Sequence, residues 1–381
     1  MKRVLLLFCL LISLPLGAWE RLCEGVSIDR KIYEFGDIQL SEGPKECVFT
    51  LRNDGKKDWI INQVTTSCGC TQASWTKGVV KPGAQAAIKV TYKNDDGPYP
   101  FDKSLTLSVS ASDKPFYLSI RGVCHDKPVP LSELYPIALG GGLAVKDREI
   151  KGGTLEQGGL RSECFLVANT SGKDLQLDFA DAPAPLRFQG LPLLVPAGKT
   201  ARVDFTVSAD EALWGKNWYS FSPVVDGKKM KSTISIWAIT QMNASSFTRE
   251  QKHEGALPRF QGSSYSFGKK KTGDTFEVSF SFRNAGQADL CLYKFDLDKG
   301  VSDCRVVLSS GKKLAIGNPS ALSSATKGGE VTVIRPGESA TLTARINTKN
   351  LPKGEQLLMI RLITNSPMRP MVDLFAAGWV E

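Results

Sequence analysis

The sequence predicts an all-β chain: three tandem immunoglobulin-like β-sandwich domains after a signal peptide. Three observations predict it. Apolar and polar residues alternate with a period of two over many short runs, the mark of half-buried strands. Turn signals built on Gly, Pro, Asn and Asp recur about every 8–12 residues, the spacing of a β-sandwich. One set of landmarks also repeats: Asn53-Asp54-Gly55, Asn169-Thr170-Ser171-Gly172 and Asn284-Ala285-Gly286 lie 116 and then 115 residues apart. That period is domain-sized, well beyond the roughly 20–50 residues of a solenoid unit.

Residues 1–18 have signal-peptide layout. Lys2 and Arg3 precede a short apolar run from Val4 to Leu16, and Gly17-Ala18 supplies small residues for cleavage. The run is too short to span a bilayer, and no later run reaches that length. Glu20-Arg21-Leu22 before Cys23 lacks the small residues of a lipidation box, so the expectation is Sec export of a non-lipidated protein, periplasmic or secreted, with no transmembrane segment in the mature chain. Hydrophobic content of 42% and charged content of 23% fit a globular protein. The net charge of +9 becomes about +7 once Lys2 and Arg3 are removed. Lys56-Lys57, Lys228-Lys229 and Lys269-Lys270-Lys271 are short, dispersed and free of interleaved aromatics. They read as solvated turns, and no nucleic-acid partner is expected.

The first domain, 19–126, opens with Tyr33-Glu34-Phe35-Gly36. A stripe of Cys47, Phe49 and Leu51 runs into Asn53, and Lys81-Pro82-Gly83 turns into Ile88, Val90 and Tyr92. Leu105, Leu107, Val109 and then Phe116, Leu118, Ile120 supply its last two strands. The second, 127–243, follows a Pro-containing linker (Asp126 to Pro130). It has lost the opening aromatics and keeps Gly153, with Val195-Pro196-Ala197-Gly198 before Val203, Phe205 and Val207. The third, 244–381, restores Tyr265-Ser266-Phe267-Gly268, then alternates Phe276, Val278, Phe280 and Phe282 with polar residues. Arg335-Pro336-Gly337 leads into Leu342, Ala344 and Ile346. Asn284 to Pro336 spans 52 residues against 29 and 27 in the other copies, which predicts an inserted surface loop rich in Ser, Gly and Lys from Ser309 to Gly329.

The order Phe35-Gly36-Asp37-Ile38, Asn53-x-Gly55, Ser67-Cys68-Gly69-Cys70-Thr71, Lys81-Pro82-Gly83 and Arg121-Gly122-Val123 resembles the DUF1573 family, itself similar to Hydin-type (ASH) immunoglobulin-like domains. The resemblance covers Cys23 to His125. The third domain resembles the family without Cys-Gly-Cys, and the second is a diverged relative. The resemblance implies an immunoglobulin-like fold in an exported protein of the kind frequent in Bacteroidetes-type bacteria. It implies no activity.

Nine cysteines are present, and Cys9 would leave with the signal. The remainder would sit in an oxidising compartment where disulfides persist. Residues i and i+2 of a strand face the same side, so Cys68 and Cys70 are expected to present two sulfurs together, with Gly69 free to bend. Three readings stand beside one another: packed or distantly paired cysteines; a bridge between the two, strained because extended i,i+2 Cα atoms lie about 6.6–6.8 Å apart; or a soft Cu(I) or partial zinc site. Only His125 and His253 could add imidazole, and neither has ligand spacing from the pair. Cys47 and Cys164 occupy matching inward strand positions and read as buried free thiols. Cys23 with Cys124, and Cys291 with Cys304, are candidate disulfides.

Two histidines form no recognisable catalytic arrangement, so no catalytic residue is assigned and an enzyme is not expected. Gly140-Gly141-Gly142 lacks the Lys-Ser/Thr of a phosphate loop and reads as a turn. Trp214 and Trp218 are either domain core or an exposed contact. The expectation is an exported, non-enzymatic binding or structural protein of the bacterial envelope that presents tandem immunoglobulin-like modules to a protein or glycan partner and needs no cofactor. The alternative is a thiol-redox or Cu(I)-binding protein acting through Cys68 and Cys70.

Overall fold

The computed structural model describes residues 19–95, 97–209, 213–245, 247–317 and 332–381. The signal peptide expected over 1–18, and most of the inserted loop of the third module, lie outside the described residues. The regular structure of the described residues is nearly all strand. The first stretch holds β1 (Glu20–Cys23), β2 (Val26–Ile28), β3 (Ile32–Gln39), β4 (Lys45–Asn53), β5 (Ile61–Thr66), β6 (Thr71–Trp75), β7 (Gln85–Tyr92), β8 (Pro100–Val109) and β9 (Phe116–His125). A four-residue helix α1 (Leu131–Leu134) precedes β10 (Ile137–Gly140), β11 (Leu143–Val145), β12 (Glu149–Glu156), β13 (Leu160–Asn169), β14 (Leu175–Ala180), β15 (Leu186–Gln189), β16 (Leu193–Val195), β17 (Thr200–Ser208), β18 (Gly215–Val225), β19 (Lys228–Lys229) and β20 (Ile234–Gln241). A short helix α2 (Arg249–Glu254), opened by a Thr248/Gln251 capping box, precedes β21 (Pro258–Phe260), β22 (Ser264–Lys270), β23 (Thr275–Asn284), β24 (Leu292–Leu297), β25 (Val301–Leu308), β26 (Ser339–Asn347), β27 (Gly354–Thr364) and β28 (Met371–Val380).

Each sheet takes its strands from one of these stretches, and the strand order repeats. One sheet of each module runs β1-β2-β4-β7-β6, β10-β11-β13-β17-β15 or β21-β23-β26-β25. Its companion runs β3-β9-β8-β5, β12-β20-β18-β14-β16 or β22-β28-β27-β24. By packing, the described chain falls into two compact units whose boundary passes through the middle module. One holds the first module through Ile150 with Ser162–Thr206 and Ser220–Ser235; the other holds Lys151–Arg161, Val207–Tyr219 and Ile236–Glu381.

Alternation puts every second residue inside. In the first module Phe49, Leu51, Ile88, Leu105, Leu107 and Ile120 are completely buried. In the third, Leu342, Ile346, Ile360, Leu362 and Leu374 are. Each such side chain contributes about 1.5–3 kcal/mol by leaving water. The middle module breaks the alternation: Glu163, Cys164 and Phe165 are buried in succession. Its strands close instead on Phe165, Phe179, Phe188, Phe205 and Phe221, with the nearest rings, Phe179 and Phe188, 4.4 Å apart.

The aromatic-Gly landmark has a steric cause. β3 runs parallel to β9, and the register slips between Glu34 and Gly36, where Gly36 takes φ of 71°. A Cβ on the facing Gly122 would stand 2.7 Å from the Gly36 carbonyl oxygen. The third module repeats the pair, with Gly268 at φ 63° and Gly378 against its carbonyl at 2.6 Å.

The Asn landmarks are buried hubs. Asn53, Asn169 and Asn284 are each almost wholly inaccessible. Asn53 Nδ2 donates to the Lys57 and Val80 carbonyls at 2.9 and 2.8 Å, and Oδ1 accepts the Gly55 N–H at 2.9 Å. Asn169 does the same with Lys173, Val195 and Ser171. Asn284 does it with Ala288, Ile334 and Gly286. The backbone N–H of each donates just past the Pro-Gly landmark, to Ala84, Lys199 or Glu338. One amide thus ties the end of a strand to its own turn and to the chain returning before the next strand.

Asp37 on β3 of the first module collects three donors: His125 Nε2 at 2.9 Å, Tyr135 Oη at 3.1 Å and Lys146 Nζ at 2.6 Å. Arg121 bridges Glu34 (2.7 Å) and Glu163 (3.2 Å) beside it. Burial alone would raise the Asp37 pKa. The hydrogen bonds from Lys146 and His125, the Lys146 charge and the Tyr135 hydroxyl outweigh it and hold the carboxyl below its ordinary range.

Two outcomes are expected. Asn53→Asp or Asn284→Asp turns an oxygen toward two carbonyls, one buried and one part-buried, and leaving the buried one unsatisfied costs about 1–3 kcal/mol. The affected module should lose about 1–3 kcal/mol, read by hydrogen exchange of its central strands in urea. Because the folded Asp37 pKa is depressed, its contribution is complete above the unfolded value of about 3.9 and fades as pH falls through the folded one. Asp37→Asn should therefore lower the melting temperature at pH 7, and the gap to wild type should close toward pH 2.

Candidate functional site

The Cys-Gly-Cys motif lies in the crossing between the two sheets of the first module. β5 ends in one sheet, β6 begins in the other, and Ser67–Cys70 makes the passage. The motif is a turn and not a strand, which corrects the expectation of two side chains facing one side of an extended segment. Gly69 is exposed and both cysteines are half-buried. The turn brings their Cα atoms to 5.3 Å, inside the ordinary disulfide range, and the sulfurs are bonded to each other. The separation of an extended pair, about 6.6–6.8 Å, therefore does not apply.

The turn is held on both sides. Ser67 N–H donates to the Ser104 carbonyl at 3.0 Å and Lys93 N–H to the Cys70 carbonyl at 2.8 Å. The buried Thr71 hydroxyl lies 3.5 Å from Cys68 Sγ and 3.7 Å from Cys70 Sγ. Bonded sulfurs carry no hydrogen, so this hydroxyl is the donor. The corresponding crossings elsewhere use backbone freedom instead: Asp181 after β14 takes φ of 63° and Gly300 before β25 takes φ of 91°.

The other expected pairings are absent. Cys23 sits on the edge strand β1 with its Sγ toward the Ala111 carbonyl, whereas Cys124 is buried on β9 of the companion sheet with its Sγ toward the Asn94 carbonyl. Cys291 precedes β24 and Cys304 lies on β25, so these two belong to opposite sheets of the third module. All four are free thiols, as are the buried Cys47 and Cys164. Burial pushes Cys47 up to about 12 and Cys164, Cys291 and Cys304 up to about 11, leaving them protonated and unreactive near neutrality. Among the described residues no group of three or more His, Cys, Asp or Glu is placed to hold a metal.

Trp214 and Trp218 separate. Trp214 is buried and stacks on Tyr293 at 4.1 Å; Trp218 is exposed, with Lys216 Nζ between its ring and that of Trp237 at 4.5 and 4.3 Å. Gly140-Gly141-Gly142 forms the turn between β10 and β11, all three at positive φ.

One surface escaped the reading of the sequence. On β27, Leu358, Ile360 and Leu362 face the core, yet Leu357 and Met359 occupy the outward phase. The neighbouring β28 places Ala377 opposite Leu357 and Phe375 opposite Met359, with Trp379 next along the strand. Leu357 and Trp379 are 63% and 49% exposed. The equivalent face of the first module pairs Ser104 with Ser119 and Thr106 with Tyr117. The signal was available: apolar residues in both phases of two adjacent strands mean two apolar faces.

Residues 26–124 match a family described as "Protein of unknown function (DUF1573)". The first module is a DUF1573 domain. No curated protein matches the chain. Among solved structures, a protein of unknown function from Porphyromonas gingivalis aligns at 15% identity over 63% of this chain and 100% of that one, with a TM-score of 0.48. The ASH / PapD-like domain 7 of human CEP192 aligns at 12% identity over 27% of this chain and 87% of that one, with a TM-score of 0.23. Among the described residues no helix is long and apolar enough to cross a membrane.

The bridge of the DUF1573 domain closes a very short ring, for which chain entropy provides only about 1.5 kcal/mol, against about 3 kcal/mol for a 15-residue loop. Cys68→Ala/Cys70→Ala should therefore lower stability by no more than about 2 kcal/mol in urea unfolding, with the fold retained by circular dichroism.

Proposed function

We propose that this chain is an exported, non-enzymatic binding protein that presents its β-sandwich modules to a protein partner. The N-terminal 18 residues support export. The observation that carries the binding reading is the outward apolar strip of Leu357, Met359, Phe375, Ala377 and Trp379 on the third module. Exposed apolar surface of this kind, rimmed here by Glu355 and Lys269, marks interaction sites, and Trp is the residue most often found to dominate their energetics.

A second reading rests on the Cys68–Cys70 bridge, which lies at a turn with both residues half-buried. Opened by a reductant, the same pair offers two thiolates for disulfide exchange or Cu(I).

A photo-crosslinking residue at position 357 of the full chain, in envelope extract, should capture one defined protein. The same residue at position 106, on the equivalent face of the first module, should not. Leu357→Thr/Trp379→Thr should weaken that complex at least tenfold, as expected for loss of a Trp-centred contact of about 2 kcal/mol, with an unchanged melting temperature. Equal capture from both positions, or undiminished binding by the double variant, would overturn the reading. Stoichiometric Cu(I) uptake by the reduced protein, lost in Cys68→Ser/Cys70→Ser, would favour the second.

A further inference from the structure

The outer face of the sheet β21-β23-β26-β25 is ordered in rows by strand register. In the first row Arg259 stands opposite Arg283, Arg283 opposite Ser339, and Ser309 donates its N–H to the Ser339 carbonyl at 2.9 Å. In the second, Gln261 meets Ser281, which faces Thr341, which faces Val307. The two rows line a concavity of about 680 Å³. That lies within the roughly 300–1,000 Å³ of small-ligand clefts.

Charge divides this face. Further along the same strands every arginine has an acid: Arg305 meets Glu277 at 2.7 Å, and Arg345 meets Asp303 at 2.9 Å. Arg259 and Arg283 are exposed, directly opposite each other, and form no ion pair among the described residues. Like charges placed opposite across a ladder destabilise it. An anion lying between them would remove that cost and meet two guanidinium forks suited to planar oxyanions.

We propose that this concavity binds an acidic polysaccharide, with a carboxylate or sulfate group between Arg259 and Arg283. The remaining lining selects a glycan over an acidic peptide. Ser281, Ser339 and Thr341 hydroxyls and the Gln261 amide both donate and accept, as sugar hydroxyls require. The site is separate from the Leu357/Trp379 strip and stands or falls without it.

The full chain would be titrated calorimetrically with polygalacturonate, dextran sulfate, neutral dextran and polyglutamate. One or both acidic glycans should bind, and the tighter one distinguishes carboxylate from sulfate recognition. Neutral dextran and polyglutamate should bind at least tenfold more weakly. Arg259→Gln/Arg283→Gln should cost at least tenfold, whereas Arg305→Gln/Arg345→Gln, which removes the same charge from the same face, should cost less than twofold. Circular dichroism would check that both double variants fold. Equal losses in the two double variants, polyglutamate binding as tightly as the glycans, or binding of neither acidic glycan would overturn the proposal.

Discussion

The structure depends on how three buried asparagines satisfy backbone groups that the strands leave over. A strand that ends inside a sandwich, with the returning chain crossing it, strands carbonyls and N–H groups away from water. Asn53, Asn169 and Asn284 answer all three instances with the same geometry: two Nδ2–H donors to two carbonyls and one Oδ1 acceptor for the turn. No other side chain of that length has two donors and one acceptor without a charge. Aspartate lacks the donors, and an aliphatic residue satisfies nothing. The Ile334 carbonyl reaches its asparagine from 50 residues away, where Val80 and Val195 do so from 27 and 26. The hub of the third module is thus the same despite the longer separation.

That constraint explains why much of the fold was legible. The Asn-x-Gly and Pro-Gly landmarks are the two ends of one hydrogen-bonded arrangement, so the strand that ends at one and the strand that starts after the other keep register whatever the length between them. Phe35-Gly36 and Phe267-Gly268 were legible for a similar reason, since parallel pairing with β9 and β28 leaves no room for a Cβ at Gly122 or Gly378. Burial of the asparagines was not legible, because an Asn followed closely by Gly in a sequence looks the same on a solvent-exposed turn. The cysteine pair misled for a definite reason. An i,i+2 pair fits a strand by periodicity, but Ser67–Cys70 is all the chain available to pass from one sheet to the other. A crossing that short must turn.

The middle module shows where pattern reading loses its footing. Its β13 buries three residues in succession, and its interior is held by five phenylalanines drawn from five strands. An aromatic cluster fills space without demanding a strict two-residue period from any one strand. The topology is therefore retained while the sequence signature fades.

What distinguishes the modules is on their outward rows. The hubs and strand orders are shared, and the first and third modules also share an alternating interior. The outward residues differ in kind. The first module has serines and threonines on β8 and β9, and a sulfur clip at a crossing where the other two use a positive φ. The third has an apolar strip on one sheet and an uncompensated arginine pair on the other. Neither feature of the third module stabilises the sandwich: exposed Leu and Trp gain nothing from water, and facing arginines repel. These side chains, on positions where polar residues would serve as well, are the ones on which the two proposed contacts rest.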